Sequence, residues 1–183
     1  TGQTSITHRN EKGKWAYGLN AMARSSEGHR FNADDKITRL RSYMQYEDQK
    51  GRTYRLSHII SYSNIGHPGF ISIPSYRKSE RLSQYLQGHG FYAIKNGLSM
   101  SHSVFLNKFD THYYDRGDTP EDKKEGGRDY NDLSIGIRSE MLITKWARWN
   151  VMTGTDIEWT RSEVTVLNPQ YKLPSQLSVG GFI

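Results

Sequence analysis

A period of two in side-chain polarity runs through most of this chain and constrains its fold more than any other feature. In the segment WNVMTGTDIEW (149–159), Trp149 and Trp159 bracket Val151, Thr153, Thr155 and Ile157, while the intervening positions are mostly polar. Successive side chains of a β-strand point to opposite faces, so the alternation places both tryptophans and the less polar set on one surface. The pattern therefore predicts a β-strand with one apolar and one polar face.

The same alternation recurs along the chain, and helical spacing is almost absent. The predicted strands cover about 3–9, 15–24, 37–47, 54–63, 84–94, 98–107, 133–143, 149–159 and 171–183. The sequence thus predicts an all-β chain that forms a single domain over residues 1–183.

Short and long connections alternate strictly between these strands. The short ones are NEKGK (10–14), DQKGR (48–52), KNG (95–97) and TKWAR (144–148), and the long ones cover 25–36, 64–82, about 109–131 and 161–170. An antiparallel meander places successive connections at opposite ends of the sheet. The short turns are therefore predicted to lie at one end and the long loops at the other. Transmembrane outer-membrane β-barrels have this plan, with short periplasmic turns and long extracellular loops.

Strand length and aromatic placement favour the same class. About ten tilted residues cross the hydrocarbon core of a bilayer, and aromatic side chains mark both interfaces of a membrane barrel. The candidate interface aromatics are Trp15, Tyr54, Tyr62, Trp149 and Trp159. The residues predicted to line a hydrated lumen are Arg39, Arg41, Arg55, Arg138, Glu140, Asp156 and Glu158. His58 and His102 fall on the apolar face and do not fit this division.

Composition sets the remaining bounds. The hydrophobic share of 34% and the mean hydropathy of −0.80 exclude a membrane-spanning helix, but a barrel strand presents only every second residue to lipid. The absence of cysteine excludes disulfides and is compatible with a periplasmic or outer-membrane location. Basic residues are scattered despite a net charge of +6, so we expect no nucleic-acid partner. The segment TGQTSITHRN lacks signal-peptide features, which predicts a mature chain or an internal piece.

The strand count leaves two architectures open. Bacterial single-chain barrels normally have an even number of strands, whereas the alternation gives nine. Either residues 3–9 form no strand and eight remain, or the chain is part of a larger barrel.

Residues 23–69 carry a recognisable loop pattern. Gly28, Arg30, Asn32 and Asp34 or Asp35 are followed, after a predicted hairpin, by Gly66, Pro68 and Gly69. This arrangement resembles the early barrel strands of TonB-dependent outer-membrane receptors, in which a Gly-aromatic-Arg-x-Asn-x-Asp loop precedes a hairpin and a Gly-x-Pro-Gly loop. His29 stands where that family usually has an aromatic residue.

The resemblance implies a function in transport. Receptors of this family have a 22-stranded barrel, an N-terminal plug and a short segment that contacts TonB, and neither the plug nor that segment is recognisable here. The chain would then be an early part of the barrel, reaching the TonB complex through a plug that this sequence does not contain. The implied activity is uptake of a scarce nutrient chelate such as a siderophore, haem or cobalamin. The implied surroundings are outer-membrane lipid and lipopolysaccharide.

Enzyme chemistry is not favoured by the residues. Ser101, His102 and Ser103, with Glu140 on a later strand, suggest a lipid A deacylase, but adjacent strand residues point to opposite faces. Asp110 and His112 suggest an outer-membrane protease, yet no second acidic pair is identifiable. We therefore expect no catalytic residues, and no cofactor or metal site either.

The long connections offer the candidate ligand contacts. Carboxylates are frequent in 109–132, but the spacing of a calcium loop is missing and basic residues are interspersed, which favours a solvated loop. Phenol and guanidinium groups suit carboxylate or catecholate oxygens better. The candidate ligand-binding residues are His67, Phe70, Tyr76, Arg77, Arg81, Tyr113, Tyr114, Arg116, Arg128 and Tyr130. The basic loop around 66–81 also suits lipopolysaccharide phosphates.

Two alternatives remain at the level of sequence. One is a stand-alone eight-stranded outer-membrane barrel that acts as an adhesin, a structural element or a lipid-modifying enzyme. The other is a soluble lipocalin-like barrel, in which the less polar face would line the cavity.

Overall fold

The protein, seen in a computed structural model, is built from β-strands joined by turns and loops. The structure describes residues 1–29, 31–70, 73–115, 126–146, 149–166 and 170–183, and within these it describes the side chains except at 69–70, 73–76, 115, 126–127, 145–146, 149, 166 and 170–172. The strands are β1 (Gly2–Lys12), β2 (Trp15–Ser26), β3 (Asp35–Glu47), β4 (Thr53–Phe70), β5 (Ile73–Lys95), β6 (Leu98–Asp115), β7 (Gly126–Trp146), β8 (Trp149–Val166), β9 (Gln170–Lys172) and β10 (Gln176–Phe182).

These strands form one open antiparallel sheet. Each strand from β1 to β8 pairs with the next along the chain, and β10 and the short β9 both pair with β8. The sheet therefore has nine strand positions, and its described residues contain no helix. The prediction of an all-β antiparallel meander is confirmed. Of the two strand counts left open, the sheet has nine, because residues 2–12 form a strand that is longer than the predicted 3–9.

The ninth position is a single strand interrupted by a bulge. Lys172 lies opposite Glu163 and Gln176 lies opposite Thr160, so three residues around Pro174 face two residues of β8. This extra residue shifts the register by one and reverses the faces. The register therefore does not carry one alternating face from 170–172 into 176–182, contrary to the prediction of one continuous strand over 171–183.

The short turns lie where the sequence predicts them. Residues 13–14, 48–52 and 96–97 join β1 to β2, β3 to β4 and β5 to β6. Gly13, Gly51 and Gly97 have φ values of 61°, 72° and 74°, a left-handed conformation that costs glycine little. The fourth turn falls at 147–148, outside the described residues.

Three of the predicted long loops are instead largely strand: residues 161–166 continue β8, and the other two are extended hairpins. β4 and β5 reach Phe70 and Ile73, and β6 and β7 reach Asp115 and Gly126, so most of 64–82 and 109–131 is strand. Backbone pairing continues there with polar side chains on both faces. An alternation of polar and apolar residues therefore cannot reveal these parts of the strands. The connection between β2 and β3, predicted over 25–36, is a loop in its described parts, 27–29 and 31–34.

The two faces of the sheet are defined by its register. We call a row of directly opposed residues a rung, and one reference rung runs through Trp15, Tyr46, Tyr54, Gly90, His102, Ser139, Thr155 and Gly181. The face that contains this rung is the apolar face, and its hydrophobic residues form the apolar band. Members of the band include Leu19, Leu40, Met44, Leu56, Ile60, Tyr62, Leu82, Leu86, Val104, Leu106, Leu133, Ile135, Ile137, Val151, Ile157 and Trp159.

Neither face is covered. No hydrophobic side chain is buried in the described part of the chain, and Leu56 and Ile157 are each 48% exposed. Cross-strand contacts within the single layer organise its side chains, such as the Trp15–Tyr46 ring pair at 4.8 Å. Aromatic rings on the opposite, polar face also cover glycines of neighbouring strands, in the pairs Tyr43–Gly18, Phe105–Gly136 and Phe182–Gly154.

Candidate functional site

The apolar band does not run straight across the sheet but steps along it. Tyr62 ends the band in β4 and lies on the same rung as Glu163 of β8, yet the band of β8 ends at Trp159, four residues nearer the short turns. The opposite margin moves by the same amount, from Tyr54 in β4 to Val151 in β8. Four residues correspond to about 13 Å along the strands, against about 19 Å across four strand spacings. The strands therefore cross the band at about 35° from its normal.

The predicted interface aromatics lie at the margins of this band. Trp15 and Tyr54 are on the reference rung beside the short turns, and Tyr62 and Trp159 end the band on the opposite side. Trp15, Tyr54 and Tyr62 are between 42% and 48% exposed. The backbone of Trp149 begins β8, while its side chain lies outside the described residues.

Six of the predicted ligand residues come together on the polar face, at the end with the long connections. They occupy three alternate rungs across β4 to β7, and we call them the loop-end cluster: His67, Arg77, Arg81, Tyr113, Arg128 and Tyr130. His67 is opposite Arg77, Tyr113 is opposite Arg128, and Arg81 is on the rung of Tyr130. The sheet thus presents three guanidinium groups, two phenols and an imidazole on one surface.

Contacts within the loop-end cluster fix several of these side chains. The His67 ring shares a 2.9 Å hydrogen bond with Ser79 Oγ and lies 5.7 Å from the ring of Tyr113. The guanidinium of Arg81 lies 4.4 Å from the centroid of Phe109, a cation–π arrangement that leaves its N–H edge free to point elsewhere. Ser79 and Phe109 were not predicted, because only the register shows which residues oppose one another.

The loop between β2 and β3 braces the strand ends that carry this cluster. Asn32, with a left-handed φ of 54°, donates hydrogen bonds from its side-chain amide to the carbonyl oxygens of His67 (3.3 Å) and Arg77 (2.7 Å). The amide of Gly66 donates to the carbonyl of Asp34 at 2.8 Å. A Cβ on Gly66 would lie 2.4 Å from the carbonyl oxygen of Asn32, so only glycine permits this approach. Three positions of the receptor-like loop pattern are therefore in contact.

The remaining ligand candidates do not join the cluster. Tyr114 lies on the other face, where its hydroxyl donates to Glu80 at 3.4 Å and its ring contacts His112, which pairs with Asp129. Phe70 and Tyr76 lie in the strand backbone of β4 and β5, but their side chains are outside the described residues, as is the whole of Arg116.

The charged residues predicted to share a lumen-facing surface do lie on one face. Arg138 is 4.0 Å from Asp156, Ser101 donates to Glu140 at 3.1 Å, and Arg55 stacks over Tyr43 at 4.4 Å. All are on the polar face by register. This face therefore combines cations with carboxylates, while the loop-end cluster contains three arginines and no carboxylate.

His102, the misfit of the apolar face, has both ring nitrogens engaged. Nδ1 is 2.8 Å from Ser139 Oγ and Nε2 is 2.9 Å from the hydroxyl of Tyr92. Ser101 and its partner Glu140 lie on the opposite face, as expected for adjacent strand residues. The Ser101–His102–Glu140 grouping that suggested a deacylase is thus divided between two faces.

Neither known proteins nor metal-binding geometry assigns a function to this site. No known protein-family model matches the chain, and no curated protein matches it significantly. Among the described residues, no three His, Asp or Glu side chains form a group that could hold a metal ion. No helix in the described ranges is long and apolar enough to cross a membrane.

Proposed function

We propose that this chain is a lipid-facing part of an outer-membrane β-barrel wall, of the TonB-dependent receptor kind, that contributes ligand contacts for uptake of an anionic nutrient chelate. The apolar band carries this proposal. It is confined to one face of a single-layer sheet, and the strands cross it at about 35°, the tilt typical of membrane barrels.

The height of the band agrees with a bilayer. It extends from Tyr54 to Tyr62 in β4 and from Leu133 to Ile143 in β7. At a rise of about 3.3 Å per residue and a tilt of about 35°, these spans correspond to about 22 Å and 27 Å along the band normal. Transmembrane barrels carry an outward apolar band of about 25 Å, flanked by aromatic residues.

His102 is a polar side chain within the band, and the sheet itself supplies its hydrogen-bond partners. Hydrocarbon offers no hydrogen-bond partner, so a membrane face must pair its own polar atoms. His102 meets this requirement through Ser139 and Tyr92, and the strand backbones pair with their neighbours. The charged residues of the apolar face lie beyond the band, including Lys108 and Arg161.

The loop-end cluster suits an anionic, oxygen-rich ligand. Three guanidinium groups bind carboxylate or catecholate oxygens through several N–H donors, and the phenols of Tyr113 and Tyr130 add stacking surface and hydrogen bonds. Siderophores present such oxygens. The loop pattern around Asn32 and Gly66, which resembles early strands of TonB-dependent receptors, supplies the link to energised uptake.

A direct binding experiment tests the ligand half of the proposal. The protein in detergent micelles is titrated with a ferric tris-catecholate, with haem and with cyanocobalamin, and tyrosine and tryptophan quenching is measured. We expect the catecholate to bind and Arg81→Gln to weaken it about tenfold, the loss typical of one charged hydrogen bond. Arg161→Gln, at the margin of the opposite face, is the matched control.

The results separate the possibilities. Binding of none of the three probes, or an equal loss in both arginine variants, would overturn the ligand assignment. A chain that refolds and stays monodisperse in plain buffer would instead favour the soluble lipocalin-like alternative and overturn the membrane assignment.

A further inference from the structure

The apolar band has a gap on β5. Gly88 and Gly90 occupy consecutive apolar-face positions, between Leu86 on one side and Tyr92 on the other. A Cβ on Gly90 would lie 3.6 Å from the Tyr54 ring, and one on Gly88 would lie 3.2 Å from Val104. Side chains from β4 and β6 therefore flank a strip of bare backbone.

The gap forms a hollow of about 480 Å³ with walls made almost entirely of carbon. Its walls include Met44, Tyr54 and Leu56 on one side and Val104 on the other. Trp15 and Tyr46 extend it sideways across β3 and β2 on the reference rung. Its apolar lining suits a hydrocarbon chain.

Basic residues lie next to this hollow, at the margin with the short turns. Arg52 precedes Tyr54 by two residues, and Lys50 and Lys14 are exposed in or beside the adjacent turns. The Asp48 carboxylate accepts hydrogen bonds from the backbone amides of Arg52 (3.0 Å) and Lys50 (2.7 Å) and also lies 3.8 Å from Nε of Arg52, which fixes the turn that carries both cations. An apolar hollow beside fixed cations is complementary to an amphiphile with an anionic head.

The tilt of the band gives the direction of approach. A line along the band normal that starts at Tyr54 rises about two residues for each strand it crosses, so it passes over Gly88 toward Leu106. A lipid chain aligned with the bilayer normal would follow the same line.

We propose that the Gly88–Gly90 hollow binds one acyl chain of a phospholipid whose phosphate is held by Arg52 and Lys50. This inference rests on the proposed membrane function. It makes the hollow a specific lipid site of the leaflet next to the short turns, distinct from the remaining apolar band.

Lipid retention tests the site. The protein is purified in detergent, supplied with phosphatidylglycerol and analysed by native mass spectrometry. Gly90→Leu fills the hollow, whereas Gly181→Leu places the same side chain on the reference rung in β10, where only a backbone atom lies within 4 Å, at 3.8 Å. We expect the bound lipid to be lost in Gly90→Leu and retained in Gly181→Leu.

A second variant leaves the hollow intact. Arg52→Gln should weaken phosphatidylglycerol binding about fivefold, the factor expected for one cation at a lipid surface. Equal retention by the wild type, Gly90→Leu and Arg52→Gln would overturn the inference while leaving the membrane assignment standing. Failure of the wild type and the Gly181→Leu control to enter phospholipid vesicles would overturn the proposed function, and this site with it.

Discussion

Replacing Ile137 by arginine puts a cation near the middle of the apolar band. Ile137 is 54% exposed and lies four residues from Leu133 and six from Ile143, the two ends of the band in β7. At a tilt of about 35°, these separations correspond to about 11 Å and 16 Å from the band margins. At such depth an arginine on the lipid face of a barrel costs about 2–4 kcal/mol. An intermediate value lowers the folding equilibrium constant by a factor of about one hundred.

The matched control is Ser134→Arg, three residues away on the polar face of the same strand. It removes a 3.2 Å hydrogen bond from Asn107, which costs about 1 kcal/mol. Equilibrium urea unfolding in phospholipid vesicles, followed by tryptophan fluorescence, gives both values. We expect Ile137→Arg to lower the free energy of unfolding by at least about 1 kcal/mol more than Ser134→Arg does. A lipid-facing cation costs about 2–4 kcal/mol, whereas the hydrogen bond lost in the control costs about 1 kcal/mol. Equal costs, or a larger cost for Ser134→Arg, would refute the assignment of the faces.

Three further outcomes follow from local contacts. Asn32→Ala removes the brace between the ends of β4 and β5, so amide hydrogen exchange there should quicken while the short-turn ends are unchanged; unaltered exchange would contradict the brace. Hydrogen bonds from the backbone amides of Arg52 and Lys50 lower the pKa of Asp48 below its usual 3.8. The turn at 48–52 should therefore be fully ordered above the usual pKa and lose order as the pH falls through the lowered pKa. Amide exchange between pH 5 and pH 2, compared with Asp48→Asn, checks this, and a pH-independent turn would be inconsistent with it. Gly136→Leu should destabilise the fold strongly, because a Cβ there would lie 2.2 Å from the Phe105 ring, and the added Phe105→Ala should restore part of the loss in urea unfolding.

The faces of the sheet were predictable because alternation leaves little freedom. A residue in a strand shares a face only with its second neighbours, so Leu56, Ile60 and Tyr62 were assigned together correctly. The short turns were equally clear, since glycine at Gly13, Gly51 and Gly97 marks a left-handed backbone.

Strand ends and the last register were not predictable. β4 to β7 continue far beyond the apolar residues, because backbone pairing needs no particular side chain. The bulge at Pro174 adds one residue to the last strand, and the sequence pattern of 171–183 does not reveal which residue is extra.

The loop-end cluster was predictable in composition but not in arrangement. Tyr113 and Tyr114 were both predicted as ligand contacts, but adjacent residues of a strand point to opposite faces. Applying the same alternation of faces to 109–115 would have separated them. The contribution of Asn32 depends on a contact between residues 35 and 45 positions apart, which no local pattern contains.

The most direct measurement is a cysteine scan along β4. The chain has no native cysteine, so single variants at residues 56 to 60 can each carry an environment-sensitive fluorophore in protein reconstituted into phospholipid vesicles. We predict quenching by brominated lipid at 56, 58 and 60 and by aqueous iodide at 57 and 59. Uniform quenching along the strand, or the opposite alternation, would contradict a sheet whose apolar face meets lipid.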